Sequence, residues 1–126
     1  MAVQRWSIVI VDLDPARGHE QQGVRRALVV SYEPFHRSGM ATVCPITSRP
    51  AKYQGEVAIP AGVAGQTLDA LVLVHQLRTV DLGRVTAFEL GGQAQVVHDA
   101  AIRRQVRSAL AHHLGLDLPA SLDGAA

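Results

Sequence analysis

Apolar positions in this chain gather into short runs before residue 80, then recur at a longer period near its end. Ser7 to Asp12 and Ala27 to Tyr32 are dense in Val, Ile and Leu, which predicts two buried strands. Further strand-forming runs cover Ala41 to Pro45, Glu56 to Ile59, Ala70 to Val74 and, more briefly, Leu77 to Val80. Gly and Pro punctuate the gaps, among them Gly18, Gly23, Pro34, Gly39, Pro50, Gly55, Pro60, Gly62 and Gly65. Short strands at this spacing predict a small, strongly bent sheet or barrel. From about Gln95 to Leu114 the pattern turns helical. Ile102, Val106, Ala109, Leu110 and His113-Leu114 fall on one stripe, and Arg103, Arg104 and Arg107 on a solvated face. Gly115 fits the C-terminal stop of that helix, and a helical turn is expected near Asp81 to Arg84. The result is an α+β fold, a β-rich body with a C-terminal helix packed on its sheet. One domain is expected over residues 1–116, with 117–126 as a flexible tail.

The segment between the first two strands stands out. Asp14-Pro15 opens a turn, and Gly18 and Gly23 supply backbone freedom. Arg17, His19, Glu20, Gln21, Gln22, Arg25 and Arg26 crowd into the same span. A loop so rich in donors, acceptors and proton carriers on a strand scaffold is where binding and catalytic groups tend to sit. A solvated hairpin loop is the alternative that composition alone leaves open.

Composition narrows the function classes. The chain has 126 residues, 48% of them hydrophobic and 18% charged, which fits one folded domain and not disorder. No apolar run reaches bilayer-spanning length and no secretory leader is legible, so a soluble, cytoplasmic protein is expected. Cys44, the only cysteine, lies in a strand-like run and reads as a small core residue. His36, His98, His112 and His113 lack ligand spacing and point to no metal site, and no cofactor is expected. The net charge of +1 is not that of a typical nucleic-acid binder. Its distribution is permissive, however: up to Lys52 there are seven basic residues against four acidic. With only five aromatic residues, an extensive base-stacking platform is ruled out.

Three segments together are specific. Leu13-Asp14-Pro15, Gly18-His19-Glu20-Gln21-Gln22-Gly23, Arg25 and Ala27-Leu28-Val29-Val30-Ser31 resemble the N-terminal signature of the MazF/PemK toxins, and their Kid branch above all. Pro45-Ile46-Thr47-Ser48 resembles the family's Pro-x-Thr-Ser segment, and His75-Gln76-Leu77-Arg78-Thr79-Val80-Asp81 its Asp-Gln-x-Arg-Thr-x-Asp segment. The likeness spans roughly residues 6 to 112. It implies an SH3-like barrel with an appended helix. It also implies a toxin of a type II toxin–antitoxin system that cuts single-stranded RNA without metal.

Such cleavage requires the ribose 2′-OH to lose its proton, the phosphoryl oxygens to be stabilised, and the 5′-oxygen to be protonated as it leaves. The resemblance implies Arg25 for the phosphorane, Thr47 for a phosphate oxygen or the 2′-OH, and Ser48 in support. Without the resemblance, an ion pair of Arg25 with Glu20 across the loop is the favoured reading. His19, Glu20 and His75 are the candidate proton carriers, since imidazole titrates near neutrality, and the choice of base among them stays open. Arg17, Gln21, Gln22, Arg26, Gln76 and Arg78 are expected to contact RNA, the last two also as loop-holding groups. Arg26 replaces the family's usual proline, Leu73 an arginine of the Kid branch, and His75 the usual aspartate.

The implied partners are single-stranded RNA, a second copy of the chain in a homodimer, and an antitoxin with a disordered acidic tail. Two rival readings remain. A CcdB-like gyrase binder of the same fold depends on a tryptophan at the helix end, whereas the sole tryptophan here is Trp6. A degenerate member that binds RNA or antitoxin without cutting is kept alive by Arg26, Leu73 and His75.

Overall fold

The computed structural model describes residues 3–116, so the expected tail at 117–126 lies outside the described residues. Seven strands form the main sheet in the order β4-β5-β3-β2-β1-β7, with β6 added along β3. They are β1 (Ile8–Asp12), β2 (Val24–Val29), β3 (Met40–Thr47), β4 (Val57–Ile59), β5 (Ala70–Val72), β6 (Arg78–Asp81) and β7 (Val85–Ala87). Among the described residues, a hairpin, β8 (Glu89–Leu90) and β9 (Gln93–Ala94), and one α-helix, α1 (Ala100–Leu114), follow the main sheet. The mixed α+β expectation holds. The barrel does not close, because β4 and β7 end the order without pairing to each other.

Apolar runs, not simple alternation, mark β1 to β3 because both faces are buried. Ile8, Leu28, Cys44 and Ile46 point to one face, where Ile102 and Val106 of the helix join them. Val9, Val11, Ala27, Val29 and Val43 point to the other, which β6 and β7 enclose with Val80 and Val85. Cys44 is the expected core residue, and burial pushes its thiol up to about 12.

β3 is the spine of the fold. Its first half pairs with β6 from Met40↔Asp81 to Val43↔Arg78, and its end pairs with β5 at Ile46↔Val72 and Thr47↔Leu71. The partner changes at Pro45, which has no N–H to give. There its carbonyl accepts from the Leu73 N–H at 2.8 Å, and a 3₁₀ turn, Val74–Gln76, carries the chain from β5 to β6.

The helix starts five residues later than its apolar period predicts. Gln95 and Val97 instead bond to the start of β1, through the Ile8 N–H to Gln95 carbonyl and the Val97 N–H to Trp6 carbonyl bonds. Asp99 caps the helix by accepting from the Ile102 N–H at 3.0 Å, worth about 1 kcal/mol. Gly115, at φ 68°, ends it as expected. The predicted stripe is too long: burial stops at Ala111, and His113 and Leu114 are exposed. Arg103 and Arg107 are not simply solvated, since both guanidinium groups lie over the Trp6 ring, 5.4 and 5.3 Å from its centroid. The turn near Asp81 is present as Leu82–Arg84. His36 is structural: Nδ1 donates to the Val3 carbonyl, and Nε2 accepts from Ser31, whose oxygen accepts from the Thr42 N–H. No helix among the described residues is long and apolar enough to cross a membrane.

Candidate functional site

β2 begins at Val24, three residues before its apolar run, so Arg25 and Arg26 are strand residues and not the end of the loop. Pairing with β1 at Val11↔Arg25 and Ile10↔Arg26 fixes their backbones. The loop ahead of them is closed at its neck. The Leu13 N–H bonds to the Gly23 carbonyl at 2.9 Å, and Asp14 accepts from the Gly23 N–H at 2.9 Å.

Three side chains from residues 76–84 grip this loop. Gln76 accepts from the Gln21 N–H at 2.7 Å and donates to the His19 carbonyl at 3.2 Å. Arg78 donates to the Leu13 carbonyl at 2.8 Å, and Arg84 to the Asp14 carbonyl at 2.6 Å. Gln76 and Arg78, expected to contact RNA, thus bond to the loop backbone. Arg84 was not legible as a site residue, because nothing in its spacing announces a contact with Asp14.

The predicted residues fall into two neighbouring clefts on either side of the Pro45–Ile46 step. The first, about 420 Å³, is lined by His19, Glu20, Gln21, His75, Gln76 and Arg78 over an apolar floor that includes Leu13 and Pro45. The second, about 270 Å³, is lined by Arg25, Arg26, Thr47 and Ser48, with Val24, Gln66, Thr67 and Leu68 around them. Arg17 and Gln22 line neither of these two clefts.

In the second cleft Arg25 and Thr47 stand on adjacent strands, each two residues beyond the Ala27↔Pro45 pair. The alternative pairing of Arg25 with Glu20 is not what forms. The Arg25 Nε donates to the Gln22 carbonyl at 3.1 Å, while Glu20 accepts from the Arg17 N–H within its own tight turn. Arg25 is exposed, so a fixed cation stands in the open cleft beside two hydroxyl groups. Arg26 is turned to structure: its guanidinium lies 4.2 Å from the Phe88 ring centroid and donates to Gln66 at 3.4 Å.

In the first cleft His75 is held on the 3₁₀ turn with its ring edge-on to Tyr53, centroids 5.1 Å apart. Its Nδ1 is buried without a hydrogen-bond partner. The tautomer protonated at Nε2 avoids an unpaired buried N–H, an assignment that rests on this geometry, and it makes His75 a donor through Nε2. Tyr53 is itself placed by Glu56, which accepts from the Lys52 and Tyr53 N–H groups at 2.7 and 3.1 Å and pairs with Arg49. Chiefly the Arg49 hydrogen bonds, and then these backbone donors, hold the Glu56 carboxyl down at about 2.

A rigid cation with hydroxyl groups, next to imidazoles and a carboxylate, can bind a phosphodiester and move protons around it. Comparison with known proteins points the same way. A family model described as PemK-like, MazF-like toxin of type II toxin–antitoxin system matches residues 4–114. Endoribonuclease toxin ChpB of Escherichia coli is 42% identical over 106 residues, 81% of this chain and 90% of that protein. Endoribonuclease EndoA of Bacillus subtilis is 38% identical over 89 residues, 68% and 77% of the two chains. The crystal structure of MazF from Deinococcus radiodurans superposes with a TM-score of 0.73 at 29% identity, covering 92% of this chain and 99% of that one.

Proposed function

The chain belongs to the PemK-like, MazF-like toxin family of type II toxin–antitoxin systems, and on that premise we propose that it is an endoribonuclease that cuts single-stranded RNA. The observation that carries the reading is the gathering of Arg25, Thr47 and Ser48 in one cleft, with His19, Glu20 and His75 in the cleft across the Pro45–Ile46 step.

The scissile phosphate sits against Arg25 and Thr47, where a permanent cation and a hydroxyl stabilise charge that grows on the phosphoryl oxygens. A base in the neighbouring cleft removes the proton of the 2′-OH, which attacks phosphorus as the bond to the 5′-oxygen breaks. His19 suits the base role best, because Glu20 already accepts from Arg17. His75 presents a donor through Nε2 and serves the departing 5′-oxygen. The products are a 2′,3′-cyclic phosphate and a 5′-hydroxyl, and DNA resists because it lacks the 2′-OH.

Family membership also supports a homodimer acting in the cytoplasm and held by an antitoxin whose acidic tail competes for the Arg25 cleft. Incubation with a long single-stranded RNA in EDTA, followed by mapping of the 5′ ends, tests the reading. Discrete cuts with 5′-hydroxyl ends are expected. Uncut RNA across several diverse sequences would instead favour a binding protein without activity.

A further inference from the structure

Two large apolar side chains stand in water at the rim of the Arg25 cleft. Val24 is 67% exposed and Leu68 65% exposed, and both line the cleft that holds Arg25, Thr47 and Ser48. Val24 belongs to β2 and Leu68 precedes β5, the strands that flank β3 on its two sides, and Thr47 of β3 lines the same cleft.

Leu68 is not exposed through looseness of its loop. Gln66 is 6% exposed, accepts from Arg26, donates to the Ala64 carbonyl at 3.3 Å and accepts from the Gly62 N–H through its own carbonyl at 2.7 Å. Asp69 closes the same loop by accepting from the Ala61 N–H at 2.9 Å. Gly65, at φ 75°, lets the loop approach the β8–β9 hairpin. A Cβ there would lie 2.9 Å from Leu90 Cδ1 and 3.0 Å from the Phe88 ring that Arg26 covers. Arg26 and Gln66, which line the cleft, are therefore braced by Phe88 into a strut within its wall.

We propose that Leu68 and Val24 form an apolar jaw that grips one nucleobase of the substrate next to the phosphate held by Arg25 and Thr47, with Arg26 and Gln66 as the positioning residues of that jaw. A fixed apolar pair beside a cation and hydroxyl groups matches a nucleotide, whose base presents flat apolar faces near its phosphate. Leu and Val give no hydrogen-bond readout, so the jaw adds affinity and register more than base identity. The inference rests on the RNA-cutting function proposed above.

The test uses the RNA site mapped for the wild-type protein, made with a 2′-O-methyl group at the cut so that binding is read without turnover. A second probe lacks the base of one nucleotide flanking that phosphate, and probes abasic on either side are compared. Leu68→Ser and Gln66→Met are expected to weaken binding of the intact probe about tenfold, with Leu68→Met within about twofold of the wild type. Removing the gripped base should weaken the wild type similarly and leave Leu68→Ser nearly unaffected, a coupling that a merely structural role would not produce. Equal sensitivity of the wild type and Leu68→Ser to base removal on both sides would overturn the jaw and reserve Leu68 for a protein partner. Cutting by the wild type would still stand in that case. Failure of the wild type to cut any RNA would remove the function and the jaw together.

Discussion

Gln76 and Gln21, 55 residues apart in sequence, meet through a 2.7 Å hydrogen bond from the Gln21 N–H to the Gln76 side-chain oxygen. The same amide donates to the His19 carbonyl, so one side chain acts as a short strand edge for the loop. The 3₁₀ turn that follows β5 thereby sets the position of the candidate base.

Gln76→Ala should therefore harm catalysis more than stability. Losing the two bonds costs about 1 to 2 kcal/mol of folding free energy. Displacement of His19 should lower the cleavage rate by about tenfold to a hundredfold. Thermal melting and single-turnover cleavage on one RNA separate the two effects. Equal, small losses in both would assign Gln76 to the fold alone.

Arg25→Ala and Thr47→Ala should each lower cleavage by about a hundredfold or more. Both residues lie on strands at a partly open cleft, so the change in stability should stay near ±0.5 kcal/mol. Arg25→Lys keeps the charge but not the planar fork and should recover only part of the rate. Full activity in both alanine variants would overturn the assignment.

Glu56 makes stability sensitive to acid. Its carboxyl titrates at about 2 in the folded chain against an ordinary 4.5, so the contribution is complete above about 4.5 and is lost as the pH falls toward 2. Glu56→Gln should cost about 1 to 2 kcal/mol at neutral pH, after allowance for solvent screening, and flatten the loss of stability across that window. Urea titrations of both proteins at several pH values measure it.

His75→Asp replaces a donor with a carboxylate at the wall of the first cleft. Cutting should persist, within about tenfold of the wild-type rate, with a displaced pH–rate profile. A superimposable profile would confine His75 to its packing against Tyr53.

The apolar runs made β1 to β3 legible, because strands buried on two faces need little beyond Val, Ile and Leu, whereas β4 to β6 show as shorter runs set off by Gly and Pro. The β8–β9 hairpin is not legible from its flanks, although Gly91-Gly92, both at positive φ, is a turn signal in its own right. Its strands, Glu89–Leu90 and Gln93–Ala94, are too short and too exposed to show a period. β7 was missed because its three residues take their meaning from pairing with β1. Within the site, the loop and the Thr47-Ser48 step were readable from their motifs. Gln66, Leu68 and Arg84 were not, since each acts through a distant partner that only the fold supplies.

We propose that the substrate's own 2′-OH is the nucleophile, in a site organised by Arg25 and Thr47. Replacing the single nucleotide on the 5′ side of a mapped cut by its 2′-deoxy form tests it most directly. That cut should vanish while cuts elsewhere in the same RNA continue unchanged. Continued cleavage at the deoxy position would contradict it.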